Sequence, residues 1–590
     1  MIPDSVSIRL AALRQLMAQK NIDMYLVLSS DFHESEYVGD YFKTREYITG
    51  FTGSAGTAVI TMTEAGLWTD GRYFVQAKKQ LSDEFTLYRM GEEDVPTVDE
   101  YVEQNLKEQG CLAFDGRVVN SRHGRTLKEI VEKKQGTLVT GEDLIDIIWN
   151  DRPLFSNEPI WILEEKYSGQ STADKLCGVR KKMKEQKADV YLLSSLCDIA
   201  WLLNVRGNDI SYVPVVLSYL VLTGEECIWF VQQEALDTKV RVYLEENHIL
   251  AKEYNEFYNY VKELENRTIL FDSEVMNYRI CSSIADSNRI VEAAELTARM
   301  KAVKNKTEIF NIRNAHVKDA VAMCRFMYWL KTNVGKVSMT ELSVSDYLEN
   351  LRKEQEDFLE LSFATISAYK EHGAIVHYEP TEKTDFLLKA EGFLLVDSGG
   401  HYLQGTTDIT RTFALGDLTE EMKVDYTLVC RACLNLAAAK FLHGRTGDQM
   451  DYAAREPFWE AGLNYRHGTG HGVGYLLNVH EGPNSFSSKE PLEAGMVTTD
   501  EPGIYKEGKY GIRLENELLC MQGEKNEYGQ FMYFETLTFV PFDLDAIVKE
   551  RMTDVEIKRL NDYHAQVYEK ISPFLEGEEL AWLKNATRNI

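Results

Sequence analysis

The chain has 590 residues, 44% of them apolar and 27% charged, with a formal charge of −28 and a pI near 5.0. That length is too great for one hydrophobic core and predicts roughly three or four domains, while the composition excludes a disordered or collagen-like chain. A surface this acidic repels phosphates and anionic headgroups, so nucleic acid and membrane surfaces are excluded as partners.

The N-terminus has no basic region followed by a long apolar core, so no signal peptide is expected. The longest apolar stretch, Val213 to Leu222, is broken by Pro214, Ser218 and Tyr219. It falls well short of the roughly 20 residues that a membrane span needs. Nine scattered cysteines suit a reducing compartment, and the expected location is cytoplasmic. Asn266, Asn305 and Asn585 lie in glycosylation-type triplets, which read as accidental in a chain that is not secreted.

Ile8, Leu10, Leu13, Leu16 and Met17 predict an amphipathic helix, and Met24 to Leu28 a strand ending in Ser29-Ser30. The plan returns at 179–195, with a basic helix around Met183, then Val190 to Leu193 and Ser194-Ser195. Each copy continues into an aromatic-aliphatic segment and a glycine, Tyr47 to Gly50 in one and Trp201 to Gly207 in the other. Later strands at Thr57–Thr61 and Val215–Leu222 correspond in order. Helix alternating with strand predicts two α/β domains with mixed sheets, divided near Pro153 to Pro159. The expected domains are 1–154, 155–305 and 306–590.

From about Ala294 the pattern changes to a long helix through Leu296–Leu330 and a second near Ser338–Gln355. Met323, Phe326, Met327 and Trp329 read as packing for the first of these. Cys430 and Cys433 have redox-motif spacing but sit inside a helical run, so they read as core cysteines. Eight of the twelve histidines lie after residue 370, which marks this part as the functional domain.

Two strand-like runs flank a glycine-rich turn, and each carries one aspartate, Asp397 and Asp408. Strand propensity and burial both oppose aspartate there, so the pair reads either as two turn caps or as two facing carboxylates. Further on, His467-Gly-Thr-Gly-His471-Gly-Val-Gly474 leads to His480. It lacks the glutamate of a zinc-protease helix, and its glycines make a helix costly. Nor is the third glycine of a dinucleotide fingerprint present. An extended segment approached closely by backbone or ligand is expected. Glu501 precedes a proline, which biases it to extended geometry. Glu515 alternates with Arg513 and Glu517, a pattern that taken singly reads as a solvated strand face. Taken together, two aspartates, two glutamates and a histidine supply −4 of charge, which balances two divalent ions. A hydroxide shared between them is a nucleophile at neutral pH.

The ordered set Asp397, Asp408, His471, Glu501 and Glu515 resembles the dinuclear metal site of the pita-bread metallopeptidases. The strings Gly373-Ala-Ile-Val-His377-Tyr, Asp500-Glu-Pro-Gly and Gly511-Ile-Arg-Leu-Glu-Asn, with Met300-Lys-Ala-Val-Lys-Asn-Lys-Thr-Glu, are similar to the aminopeptidase P family over the full chain. The fold implied is α/β (α+β), with two creatinase-type N-terminal domains before a pita-bread catalytic domain with a C-terminal extension. The resemblance implies cleavage of the N-terminal Xaa-Pro bond and two divalent ions, manganese among the candidates. It implies peptide substrates with penultimate proline and a homodimer, for which Phe539, Val540, Trp582 and Leu583 offer a contact. It also implies that Glu501 is both ligand and general base. His377, His467 and His480 bind substrate and shuttle protons, with Tyr505 and Arg513 behind them. The alternatives are a prolidase acting on dipeptides and, from another class, a catalytically dead pita-bread binding module; no ligand is missing, as the latter would require.

Overall fold

The computed structural model describes residues 5–590. The chain forms two compact units, one of residues up to Glu165 with Gln170–Thr297, the other of Lys166–Gly169 with Ala298–Ile590. Among the described residues no helix is long and apolar enough to cross a membrane.

The first unit opens with helix α1 (Ser5–Lys20), whose Leu10, Leu13 and Met17 are buried while Ile8 stays exposed. Strands β1 (Met24–Leu28), β2 (Thr57–Thr61), β3 (Ala65–Thr69), β4 (Thr86–Arg89), β5 (Cys111–Ala113) and β6 (Thr137–Val139) form a sheet in the order β4-β3-β2-β1-β5-β6. Alternation along β1 sends Tyr25 and Val27 into the core under α1, and Met24 and Leu26 into a second core on the opposite face. Both faces are therefore covered, as a near-continuous apolar run requires. Truncating Leu13 to alanine in such packing costs about 2–5 kcal/mol.

The repeat read from the sequence extends to the whole topology. Helix α2 (Thr172–Glu185) precedes β7 (Val190–Leu193), followed by β8 (Ser218–Thr223), β9 (Cys227–Val231), β10 (Ile249–Lys252), β11 (Thr268–Phe271) and β12 (Arg289–Glu292). Their order is β10-β9-β8-β7-β11-β12, the first order shifted by six. The directions match too: β2 and β8 are antiparallel to their neighbours, and β5 and β11 parallel to theirs. One expected correspondence moves. The left-handed helix cap made by Gly50 (φ 73°) is made in the second copy by Asn204 (φ 50°), not Gly207. Asparagine tolerates that conformation better than most residues with a side chain.

In the second unit the expected long helix is interrupted. A short helix at Ala298–Ala302 ends before α3 (Lys306–Asn333), because Asn305 leaves helical geometry to cap it. The Asn305 side chain accepts from the N–H groups of Thr307 and Glu308, and Glu308 returns the bond to the Asn305 N–H. This reciprocal cap satisfies otherwise orphaned donors. Helix α4 (Glu341–Lys353) follows. Strands β13 (Ile366–Tyr369), β14 (Phe393–Ser398) and β15 (Ile409–Ala414) form an antiparallel sheet with β14 in the centre.

A second sheet combines β16 (Lys440–Leu442), β17 (His471–Gly472), β18 (Glu481–Ser485), β19 (Val497–Asp500), β22 (Asn516–Asn526) and β23 (Gly529–Thr536), in the order β16-β23-β22-β19-β17-β18. Strands β20 (Gly503–Lys506) and β21 (Tyr510–Arg513) pair separately. Helices α5 (Glu420–Ala437), α6 (Gly447–Glu460), α7 (Asp554–Ile571) and α8 (Gly577–Ala586) complete the unit. Met323, Phe326 and Met327 are buried as expected, and so are Cys430 and Cys433.

The C-terminal residues expected at a dimer contact lie elsewhere. Phe539, Val540 and Leu583 are in the unit's own core, and Trp582 packs against it with its ring edge-on to Tyr328. Their apolar surface is used within the chain. Buried Arg411 secures this region, donating to the carbonyls of Glu515 and Val540, to Asn516 Oδ1 and to the Tyr563 hydroxyl on α7.

Candidate metal centre

Asp397 lies on β14 between Ile366 of β13 and Thr410 of β15, so its backbone is held from both sides. Asp408 stands one residue before β15 and outside the strand proper, its N–H donating to Glu517 Oε1 at 2.7 Å. Glu501 follows β19, anchored by its N–H to the Thr469 carbonyl. Glu515 lies between β21 and β22; its N–H donates to the Thr410 carbonyl, and its Oε2 accepts from Thr410 Oγ1 at 2.7 Å.

The histidine segment is extended, as expected, and its glycines have a packing reason. A Cβ on Gly470 would stand 1.7 Å from the Thr499 carbonyl oxygen, and one on Gly472 would stand 2.2 Å from that of Glu481. Only glycine lets these strands meet, and the meeting carries His471 to the carboxylates. Its Nδ1 donates to the Gly472 carbonyl at 2.9 Å. That bond turns Nε2 towards the carboxylates, 3.5 Å from Asp408 Oδ2 and 3.6 Å from Glu501 Oε1. The donor atoms of Asp408, His471 and Glu515 all lie within 4.8 Å of one another.

The converging carboxylates also crowd one another's charge. Burial, with the charges of Asp408 and Asp397 added, pushes the Glu501 carboxyl up to about 7 despite nearby His471 and Arg513. Burial and then Asp408, Asp397 and Glu501 raise the Glu515 carboxyl well above the usual range. Asp397 rises for the same reasons, because burial and Asp408 together outweigh Arg513. Burial opposes charge on His471, but Asp408 and Glu501 lift it to about 9.

Carboxylates crowded into one buried space favour bound protons unless cations offset their charge. Asp397 Oδ1 is buried without a hydrogen-bond partner. Oxygen donors, one imidazole nitrogen and an orphaned carboxylate oxygen fit hard-to-intermediate divalent ions. The solvated-face reading of the Arg513-Glu515-Glu517 alternation is overturned, since all three are buried.

Of the outer residues, Arg513 donates to Asp397 Oδ2 through Nη2, and to the Tyr505 hydroxyl (2.9 Å) and the Val376 carbonyl (3.4 Å) through Nη1. Since Tyr505 accepts there, it donates to His467 Nε2 at 2.8 Å, and His467 Nδ1 donates to the Gly468 carbonyl at 2.7 Å. His467 is thus joined through Tyr505 and Arg513 to Asp397. Burial pushes the Tyr505 phenol up to about 12. The His480 ring stands edge-on to His471, centroids 4.2 Å apart. His377 follows the Val376 carbonyl that Arg513 holds.

Sequence reasoning missed three supports. Glu517 fixes the Asp408 backbone and faces His316 of α3 at 3.2 Å. Glu481, next to His480, is held between the buried Lys301 and Lys304. Thr499 accepts from the His471 N–H and donates to Glu501. The two-residue period of 513, 515 and 517 was a signal for Glu517, because alternate residues of extended chain point to the same side. The lysines lie 180 and 177 residues from Glu481 in sequence, and no local pattern pairs them.

Residues 9–148 and 151–308 match the creatinase/prolidase N-terminal domain, 311–522 the metallopeptidase family M24, and 530–590 the C-terminal region of that family. The chain is 37% identical to a probable Xaa-Pro aminopeptidase P of Botryotinia fuckeliana, over 98% of this chain and 92% of that one. It is 38% identical to Xaa-Pro aminopeptidase 1 of Dictyostelium discoideum, over 98% of this chain and 96% of that one. Its structure is similar to the X-prolyl aminopeptidase of Caenorhabditis elegans, described as a cytosolic enzyme with a di-nuclear active site (TM-score 0.95, 34% identity, 100% of both chains). A Xaa-Pro dipeptidase from Bacillus anthracis shares the fold over 63% of this chain and 99% of that one (TM-score 0.51, 22% identity).

Proposed function

The chain belongs to metallopeptidase family M24, with full-length likeness to the Xaa-Pro aminopeptidases, and from that premise we propose that it releases the N-terminal residue from peptides with proline second. The observation that carries this reading is the convergence of Asp408, His471 and Glu515 within 4.8 Å, beside Glu501, in a chain alike from end to end. Asp397, Asp408, His471, Glu501 and Glu515 hold two divalent metal ions, with manganese the proposed metal. When bound, the ions neutralise the carboxylates and supply Lewis-acid activation of water.

The protein's own residues supply the rest. Glu501 accepts a proton from the attacking water and passes it to the departing proline nitrogen. His377 and His480 donate to the scissile carbonyl oxygen as negative charge develops there. His467 and Tyr505 line the substrate side and connect it through Arg513 to Asp397. Proline after the scissile bond has no N–H and a fixed ring, so the pocket must accept the ring without offering a partner to a missing donor.

We assign residues 1–154 and 155–305 to two creatinase-type domains and 306–590 to the catalytic domain, in a cytoplasmic homodimer. Gel filtration checks the dimer. The test of function compares an Xaa-Pro dipeptide, the same sequence extended by several residues, and its N-acetylated form, on protein of measured metal content. Release of the first residue from the extended peptide alone is expected. Activity confined to the dipeptide makes the protein a prolidase, and no activity with full metal makes it a binding module.

A further inference from the structure

The segment that carries His377 is held by one side chain far from the metal ligands in sequence. Glu341, the first residue of α4, is completely buried. Its Oε1 accepts from the Tyr369 N–H at 2.7 Å and from His372 Nδ1 at 2.9 Å. Its Oε2 accepts from the Tyr378 hydroxyl at 2.9 Å and the Phe386 N–H at 3.0 Å, with His372 Nδ1 also near at 3.1 Å. The Glu341 N–H returns a bond to the Phe386 carbonyl, and the neighbouring Leu342 N–H donates to Asp385 Oδ1 at 3.0 Å. The His372 ring is stacked on both Tyr378 and Phe386, at centroid distances of 4.3 and 3.8 Å.

One carboxylate therefore closes the chain from 369 to 386 upon itself, with His377 inside the loop and next to a residue that Glu341 holds directly. From the other side the loop meets the metal-bearing strands. A Cβ on Gly511 would stand 1.6 Å from the Gly373 carbonyl oxygen, and Arg513 holds the Val376 carbonyl. The loop is clamped between a helix start and β21, which leaves His377 little freedom to shift.

We propose that Glu341 is a positioning residue that sets where His377 meets the substrate; this rests on the reading of His377 as a substrate-binding histidine. The carboxylate form matters. Two oxygens accept from two backbone N–H groups on opposite flanks of the loop, and a buried N–H left unpaired is costly. An amide at this position turns one acceptor into a donor facing a donor, which releases one flank while changing neither shape nor volume.

The experiment measures kcat, KM, metal content and thermal unfolding for Glu341→Gln, His377→Ala and the double variant, on the metal-loaded enzyme with an extended Xaa-Pro peptide. His377→Ala should lower kcat roughly a hundred- to a thousand-fold, the usual cost of one oxyanion donor. Glu341→Gln should lower kcat roughly ten- to a hundred-fold through misplacement, with KM within about two-fold and metal unchanged. The double variant should match His377→Ala alone, because a positioning residue has nothing left to position.

Normal turnover in Glu341→Gln beside a crippled His377→Ala overturns the inference alone, and so do multiplying losses in the double variant. Full activity in His377→Ala overturns the reading of that histidine and the inference with it. Should Glu341→Gln fail to fold, Tyr378→Phe removes a single donor from the same carboxylate. Its kcat should fall a few-fold, and the loss should vanish in the His377→Ala background; a loss that persists there overturns the proposal.

Discussion

Three buried charges of the first unit and the carboxylate cluster of the second are surrounded differently. In the first, Lys175 donates to the Trp201 carbonyl at 2.8 Å and to Asn204 Oδ1 at 2.7 Å, and Arg45 donates to the carbonyls of Phe51 and Gly53. Asp209 accepts from the N–H groups of Leu217 and Glu158 and from the Ser156 hydroxyl. Each charge meets hydrogen-bonding groups of the same unit, and burial still raises the Asp209 carboxyl and lowers Arg45 to about 10. In the second, Asp397, Asp408, Glu501 and Glu515 share a space with Arg513 and His471, and burial raises the carboxyl groups of Asp397, Glu501 and Glu515. Burying a charge without compensation costs several kcal/mol, so the second arrangement stands only with protons or with metal. The contrast separates charge that hydrogen-bonds to its own fold from charge crowded enough to call for protons or cations.

The sharpest way to break the contrast is to remove one carboxylate from the second unit. Asp408→Ala should lose metal and lower turnover more than a thousand-fold, roughly the loss of over 4 kcal/mol of transition-state stabilisation, while circular dichroism stays native. Full metal loading with normal activity in that variant would mean that the cluster is not the metal site. His377→Ala, outside the ligand set, should keep its metal, and loss of metal there would make it a ligand.

Metal removal sharpens the comparison next. Stripping the protein with a chelator should lower its unfolding temperature, since a ligand at about 100 times its dissociation constant contributes about 2.7 kcal/mol. Hydrogen exchange should rise in 393–414 and 497–517 and stay unchanged in the first unit. A uniform rise across both units would contradict the localisation of unsatisfied charge.

The first unit's counterpart is His33, buried neutral with Nδ1 donating to the Ser194 carbonyl and Nε2 accepting from the Tyr254 hydroxyl. Burial lowers it from 6.5 to about 4. Above 6.5 the imidazole is neutral folded and unfolded, and its protonation adds no pH dependence. As pH falls from about 6.5 towards 4, the unfolded chain takes up a proton that the fold refuses, so stability declines, by on the order of 3 kcal/mol at full effect. Urea unfolding at pH 7 and pH 5 should show a steeper loss in the wild type than in His33→Gln, and equal slopes would remove His33 as the cause. The smallest effect is expected at Cys430 and Cys433, whose thiols burial pushes up and out of reach. Reductant should leave turnover within about two-fold, and a larger change would restore a redox role.

The comparison also explains what was readable in advance. Asp397, Asp408 and Glu501 stood out because each sits in a strand or turn context that disfavours a buried carboxylate. The doubled topology of the first unit was visible because apolar runs recur in the same order. Glu341 gave no such signal: a glutamate at a helix start is ordinary, and its partners at 369, 372, 378 and 386 are tied to it only by folding. The role of Phe539, Val540, Trp582 and Leu583 was hidden for the same reason, since an apolar residue near a chain end does not reveal whether its cover is its own core or another copy.

The sequence alone determined which chemistry this protein carries. Residue types, order and local periodicity set the five candidate ligands, the glycines that force strands together, and the helix and strand of each repeat, all of which act over a few neighbouring positions. Only the tertiary structure decided how that chemistry is supported. Glu517 behind Asp408, Lys301 and Lys304 beneath Glu481, and Arg411 between β22 and α7 are pairings across roughly 110 to 180 residues. Their partners are chosen by which buried charge lacks compensation once the core has closed, a condition that exists only in three dimensions.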